Sequence, residues 1–102
     1  MNARRIKMTV KRVGEAYTVG AATGYGVFGP LSPTQATRYL PTTVVETNAP
    51  LTRAIVAGDD GTATEDTLTL RGDDHTVLYA GDVCYRGVVV ARVLIFSSLS
   101  SL

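Results

Sequence analysis

TVLYAGDVCYRGVVVARVLIF, residues 76–96, is the densest run of β-branched and aromatic side chains in the sequence, and its reading decides the fold. Such residues suit a pleated, half-buried surface, so the stretch predicts two strands. Ala80-Gly81-Asp82 supplies the turn between them, because Gly81 tolerates positive φ and Asp82 can bond its own backbone. The second strand, from Val83 to Phe96, is longer than an ordinary strand of about five or six residues, and Gly87 interrupts it where a bend or β-bulge turns a corner. A long bent strand points to an all-β fold, a small barrel or folded sandwich. Val83, Tyr85, Val88, Val90, Leu94 and Phe96 are its expected core. The register after Gly87 stays open between the set Val88, Val90, Arg92, Leu94, Phe96 and the opposite one.

The chain has 102 residues and a mass of 10.8 kDa. Area scaling gives about 5,500 Å² folded against about 15,700 Å² unfolded, enough for one thin-cored domain. Residues 1–96 are read as that domain and 97–102, SSLSSL with the preceding phenylalanine excluded, as a tail expected to be disordered. The polar start MNARRIKMTVKR predicts no signal peptide, and no run is long enough to span a bilayer, so a soluble protein of cytoplasmic origin is expected, without a membrane partner. Cys84 is the single cysteine; it is expected to be a small buried residue.

Charge is nearly balanced at +1 but unevenly placed. Up to Val56, Arg4, Arg5, Lys7, Lys11, Arg12, Arg38 and Arg53 outnumber Glu15 and Glu46. Beyond it Asp59, Asp60, Glu65, Asp66, Asp73, Asp74 and Asp82 outnumber Arg71, Arg86 and Arg92. This split predicts copies packed side by side, with Arg4, Arg5, Lys7, Arg12 or Arg38 of one approaching Asp59, Asp60 or Asp73 of the next.

RIKMTVKRV, residues 5–13, alternates apolar Ile6, Met8 and Val10 with polar residues, the period of a half-buried strand, and Ala16–Val19 is placed to pair back on it. GPLSPTQATRYLP carries helix chemistry: Ser32 fits the N-cap, Pro33 the first turn, Gln35 completes a capping box and Pro41 stops the helix. That short helix, 33–39, is expected to cap an open end of the barrel with Leu40 seating it. Thr42–Thr47, Leu51–Ala57 and Thr67–Leu70 read as further strands, and GDDGTATED, residues 58–66, as a mobile polar loop.

Catalytic chemistry has no visible machinery. His75 is the lone histidine, without a nucleophile pattern beside it, and is expected at the surface. The acids from Asp59 to Asp66 lack the spacing of a calcium loop, and Arg71-Gly72-Asp73 sits where a turn is expected. Gly24 and Gly26 lack the residues that complete a phosphate or dinucleotide loop. No enzyme, metal or cofactor is therefore expected. The basic stripe at residues 4–12 could meet phosphates, but no aromatic residues interleave with it to stack bases.

In its order of elements the chain resembles the small β-barrel head-closure proteins of tailed bacteriophages, also called stoppers or head-tail joining proteins. The resemblance runs from the strand KMTVKRV through VFGPLSPTQATRYLP and the polar loop to TVLYAGDVCYRGVVVARVLIF, about Lys7 to Phe96. It implies a structural protein of the virion neck, assembled in the host cytoplasm. It also implies a ring, usually a hexamer, set between the portal-adaptor assembly and the tail, which retains genomic DNA and passes it at infection. The segment Asn48–Asp66, with Arg53, Asp59, Asp60 and Glu65, would then reach the channel or a neighbouring ring. A free-standing SH3-like or OB-like module for nucleic acid or peptide, or a capsid decoration protein, is the alternative.

Overall fold

The structure is a computed structural model and describes residues 14–99. Strands β1 (Glu15–Val19) and β2 (Ala22–Leu31) are followed by helices α1 (Pro33–Ala36) and α2 (Thr42–Asn48), and then by strands β3 (Leu51–Ala57), β4 (Thr67–Leu70), β5 (Asp73–Tyr85) and β6 (Val88–Ser97). The strands close an antiparallel barrel in the order β1-β2-β3-β6-β5-β4, with β4 returning to β1. The expected strand at residues 5–13 lies outside the described residues; Ala16–Val19 pairs with β2, and its end also with β4.

Alternation along the strands separates two cores. Tyr17, Ala54, Val56, Leu68, Leu70, Val77, Leu94 and Phe96 point inward and fill the barrel. Phe28 stands edge-on to both Tyr17 and Phe96, at 5.9 and 6.1 Å between ring centres. Space here is tight: a Cβ on Gly24, across from Tyr17, would sit 2.7 Å from its hydroxyl oxygen, so the tyrosine ring takes the room that only glycine leaves. The second core lies outside the wall, where Leu31, Leu51 and Ile95 project into Ala36, Leu40 and Val45 of the helical segment. The helices therefore cover the barrel's outer face instead of capping an open end. Covered on both sides, Leu94-Ile95-Phe96 reads as a continuous apolar run.

The α1 start is as the capping pattern predicts: Ser32 Oγ accepts from Gln35 N at 3.2 Å, with Pro33 in the first turn. The expected strand at Thr42–Thr47 is instead α2. Branched side chains cost a helix only tenths of a kcal/mol each, whereas burying one valine against the wall gains about 1.5–3 kcal/mol. Val45, 2% exposed, lies in the outer core, and the threonine and asparagine side chains bond within the helix, Thr47 Oγ1 to Thr43 O and Asn48 Nδ2 to Val44 O.

The β5–β6 hairpin turns at Arg86-Gly87, not at Ala80-Gly81-Asp82. Both turn residues have positive φ, 53° and 78°, and Tyr85 pairs with Val88 across them, which is the geometry of a two-residue type I′ hairpin. β5 accordingly passes straight through Gly81. The register breaks fall between Val77 and Tyr79 and between Val83 and Cys84, so Gly87 is a turn residue and not a bulge. This arrangement corrects the expected core: Val90, Leu94 and Phe96 are buried, but Val83, Tyr85 and Val88 are exposed, because the hairpin extends past the barrel as an arm. Cys84, expected to be buried, is exposed on the same arm. At the other end Ser98 N donates to Pro50 O at 2.8 Å, which ties down the start of the expected tail.

Candidate functional site

Arg92 shares the inward face of β6 with Leu94 and Phe96, and a guanidinium placed there needs partners, because an unpaired buried charge is costly. The loop at residues 58–66 provides them. Arg92 Nη1 donates to the carbonyls of Asp60 and Thr62, both at 2.7 Å, while Nε donates to Asp82 Oδ1 on β5 at 2.9 Å. The Asp60 carboxylate lies 3.4 Å from Nη1, accepts from Thr62 N at 2.8 Å, and accepts the Tyr17 hydroxyl from β1. Side chains of Arg92 and Asp60 are 14% and 12% exposed, so this is an internal ion pair. Burial, reinforced by the bond to Asp60, pushes the Tyr17 hydroxyl well above the ordinary tyrosine range. It stays protonated and serves as a donor, not a base.

This network closes one mouth of the barrel from beneath. Above it a cleft of about 620 Å³ opens between the β1–β2 turn and the loop, walled by Tyr17, Thr23, Tyr25, Asp59, Asp60 and Asp66. Among the described residues, no lysine or arginine lines it. At the opposite mouth His75, 6% exposed and tilted on Phe96 at 4.9 Å, donates from Nδ1 to the carbonyls of Ser97 and Leu99 at 2.9 and 3.2 Å. The expected surface histidine is thus a buried fastening for the end of β6. Its alternation with Val77 on β5 turns it inward. Among the described residues no cluster of His, Cys, Asp or Glu could hold a metal ion.

The described members of the expected interface set, Arg38, Asp59, Asp60 and Asp73, lie at separate places on the barrel. Arg4, Arg5, Lys7 and Arg12 lie outside the described residues. Arg38 is exposed after α1, and Asp59 is exposed on the loop. Asp73 opens β5 nine residues before Asp82, about 30 Å away at roughly 3.3 Å per residue, so it belongs to the other end of the barrel. Asp60, expected to face a neighbour, is an internal ligand of Arg92 and Tyr17. The segment Asn48–Asp66 is not one loop: Asn48 ends α2, Arg53 sits within β3, and residues 58–66 form the loop. That loop is pinned at Asp60 and Thr62; Asp66 also accepts from Ala63 N at 2.8 Å, and Glu65 N donates to Val77 O at 2.8 Å.

The Arg71-Gly72 turn has positive φ at both residues and is held by Arg71, which grips Glu15 through Nε, at 2.6 Å, and Nη2. That hydrogen-bonded guanidinium draws the Glu15 carboxyl below its usual range. The tripeptide is a strand connection. Tyr17, Thr62, Asp82 and Arg92 were missed as a set. The available signal was Arg92, the one charge in period two with Leu94 and Phe96.

No family model, curated protein or solved structure matches the chain. No helix among the described residues is long and apolar enough to cross a membrane.

Proposed function

We propose that the chain is a structural component of a bacteriophage neck, a barrel that assembles as a ring between the portal-adaptor complex and the tail and there retains and passes DNA. The observation that carries this reading is the placement of elements along the chain. A strand ending in Gly29-Pro30-Leu31 leads into a Ser32-capped helix, and after α2 and β3 come the polar loop, β4 and a long closing hairpin, all around a closed barrel. From β2 onward this order supports the resemblance to head-closure proteins; the opening strand from Lys7 lies outside the described residues, and the closing turn falls at Arg86-Gly87. The buried polar groups support a mechanical role: Asp60, Arg92, Tyr17 and His75 are all engaged in holding loop or strand ends.

The test is genetic. Removing the reading frame from its genome is expected to leave DNA-filled heads that lose their DNA and fail to join tails, and supplying the chain should restore joining. Normal particle yield and infectivity without the chain would sink the proposal.

A further inference from the structure

β2 is twice as long as β1, its partner on one side. β1 begins at Glu15, opposite Gly26, so among the described residues 27–31 are paired along one edge only, to β3. On that stretch Pro30, which has no N–H to give, stands opposite Thr52 without breaking the β3 ladder, so its nitrogen side faces the open edge. Successive residues of a strand turn their N–H and C=O groups to alternate sides. Phe28 therefore presents both of its groups to the open edge, and Pro30 its carbonyl. No described strand takes them, and Phe28 is half-buried, where an unpaired backbone group is costly.

The open edge borders a cleft of about 360 Å³ in the barrel wall. Phe28, Leu70 and Phe96 give it apolar surface, and Asp73 and His75 stand in it from β5. β1 offers no such gap to a pairing segment: β2 runs along one of its edges and β4 meets the end of the other. Glu15, bonded to Arg71 on the rim of the cleft, brings the start of β1 to this place. The backbone bends at Gly14 just before it, and a glycine at such a point lets a barrel strand turn a corner.

We infer that this edge and cleft are the docking site of the chain's own residues 10–13, added to β2 as a continuation of β1. The register of β1 on β2 fixes the placement. Glu15 pairs with Gly26, so Val13 falls opposite Phe28, Arg12 opposite Gly29, Lys11 opposite Pro30 and Val10 opposite Leu31. Period two puts Val13 and Lys11 on the inward face with Tyr17, and Arg12 and Val10 on the outward one. Each side chain then meets suitable surroundings. Val13 lies over Phe28, Leu70 and Phe96 in the cleft, and Lys11 extends its stem to the mouth, where Asp73 stands. Arg12 faces solvent beside Gly29, and Val10 joins Leu31 in the outer core. The N–H and C=O of Val13 take the groups that Phe28 leaves open. A slip of one residue would put Arg12 in the apolar cleft and bury its charge, which selects the register. Tethered one residue from the site, the segment has a local concentration of about millimolar or more and outcompetes a separate strand for the same edge. The site stands independently of the neck reading.

Two measurements on the full chain test this. In amide exchange of the wild type, the Phe28 N–H is expected to exchange at least about a hundredfold more slowly than an open amide. Exchange at the open rate would overturn the inference. The second measurement is disulfide trapping in a Cys84→Ser background, since Cys84 is exposed. Arg12→Cys with Gly29→Cys joins positions that face each other across a non-hydrogen-bonded pair, where Cα atoms lie about 4.5 Å apart, within reach of a disulfide. A Cβ on Gly29 meets nothing within 4 Å, so the fold accepts it. Mild oxidation should close an internal disulfide in this pair at least about tenfold faster than in Lys11→Cys with Gly29→Cys, whose side chains point to opposite faces. Equal rates, or no internal disulfide in either, would overturn the register and the inference with it. Disulfide-linked dimers from the first pair would overturn it in favour of a strand exchanged between copies. The neck reading is decided separately, by the deletion experiment.

Discussion

Replacing Arg92 by alanine removes the side chain that, with Tyr17, ties the loop at residues 58–66 to the barrel. Three hydrogen bonds under 3.0 Å leave with it, to Asp60 O, Thr62 O and Asp82 Oδ1. Hydrogen bonds to a charged group contribute about 1.5–3 kcal/mol each, so a simple sum would reach about 4.5–9 kcal/mol. The loop can relax and admit water, which brings the expected cost to the about 3–5 kcal/mol typical of breaking a buried ion pair from one side. Against a total stability of about 5–15 kcal/mol for a small domain, that is a large fraction. Asp82 provides the internal comparison, since its side chain is 54% exposed where that of Asp60 is 12% exposed. Asp82→Ala should cost under about 1 kcal/mol. Urea unfolding at neutral pH, followed by circular dichroism, gives both numbers, and amide exchange should show residues 58–66 losing protection in Arg92→Ala first. A loss below about 1 kcal/mol for Arg92→Ala, or one equal to that of Asp82→Ala, would refute the view that this network holds the mouth together.

Tyr17 carries a pH dependence. Its raised pKa means the folded state keeps a proton that the unfolded state releases, so its contribution is complete below the ordinary value of 10.0 and is lost as pH climbs above it. Stability of the wild type should fall more steeply above pH 10 than that of Tyr17→Phe, and parallel curves would count against the Tyr17–Asp60 bond. At the arm, Gly87→Ala forces a side chain into the left-handed region and should cost about 1 kcal/mol, while Arg86→Asn, favoured at such a turn, should raise the melting temperature slightly. Phe96→Ala, at a residue 1% exposed, should cost about 3–5 kcal/mol in chemical unfolding. Ser32→Ala should cost about 1 kcal/mol by loss of the cap, more than Pro33→Ala.

The local chemistry of the chain was legible where one short-range rule dominated. The Ser32 cap, the strands Leu51–Ala57 and Thr67–Leu70, and the barrel class all follow from residue type and period. Sequence reading failed where distant contacts chose between local options. Gly81-Asp82 and Arg86-Gly87 both offer a turn; pairing of β5 with β6 along its whole length selects the second. Val44-Val45 suits a strand or a helix face, and the wall at Leu51 and Ile95 selects the helix. Asp60 looked like a solvated loop acid because the partners that bury it, Tyr17 and Arg92, lie 43 and 32 residues away in sequence.

The central claim, a neck barrel that works by assembling, is tested most directly by cryo-electron microscopy of tailed particles made from the genome that encodes this chain. The account predicts a ring of β-barrels between portal assembly and tail into whose density strands β1 to β6 fit. Density for this barrel on the capsid surface, or a neck built entirely of other chains, would contradict it.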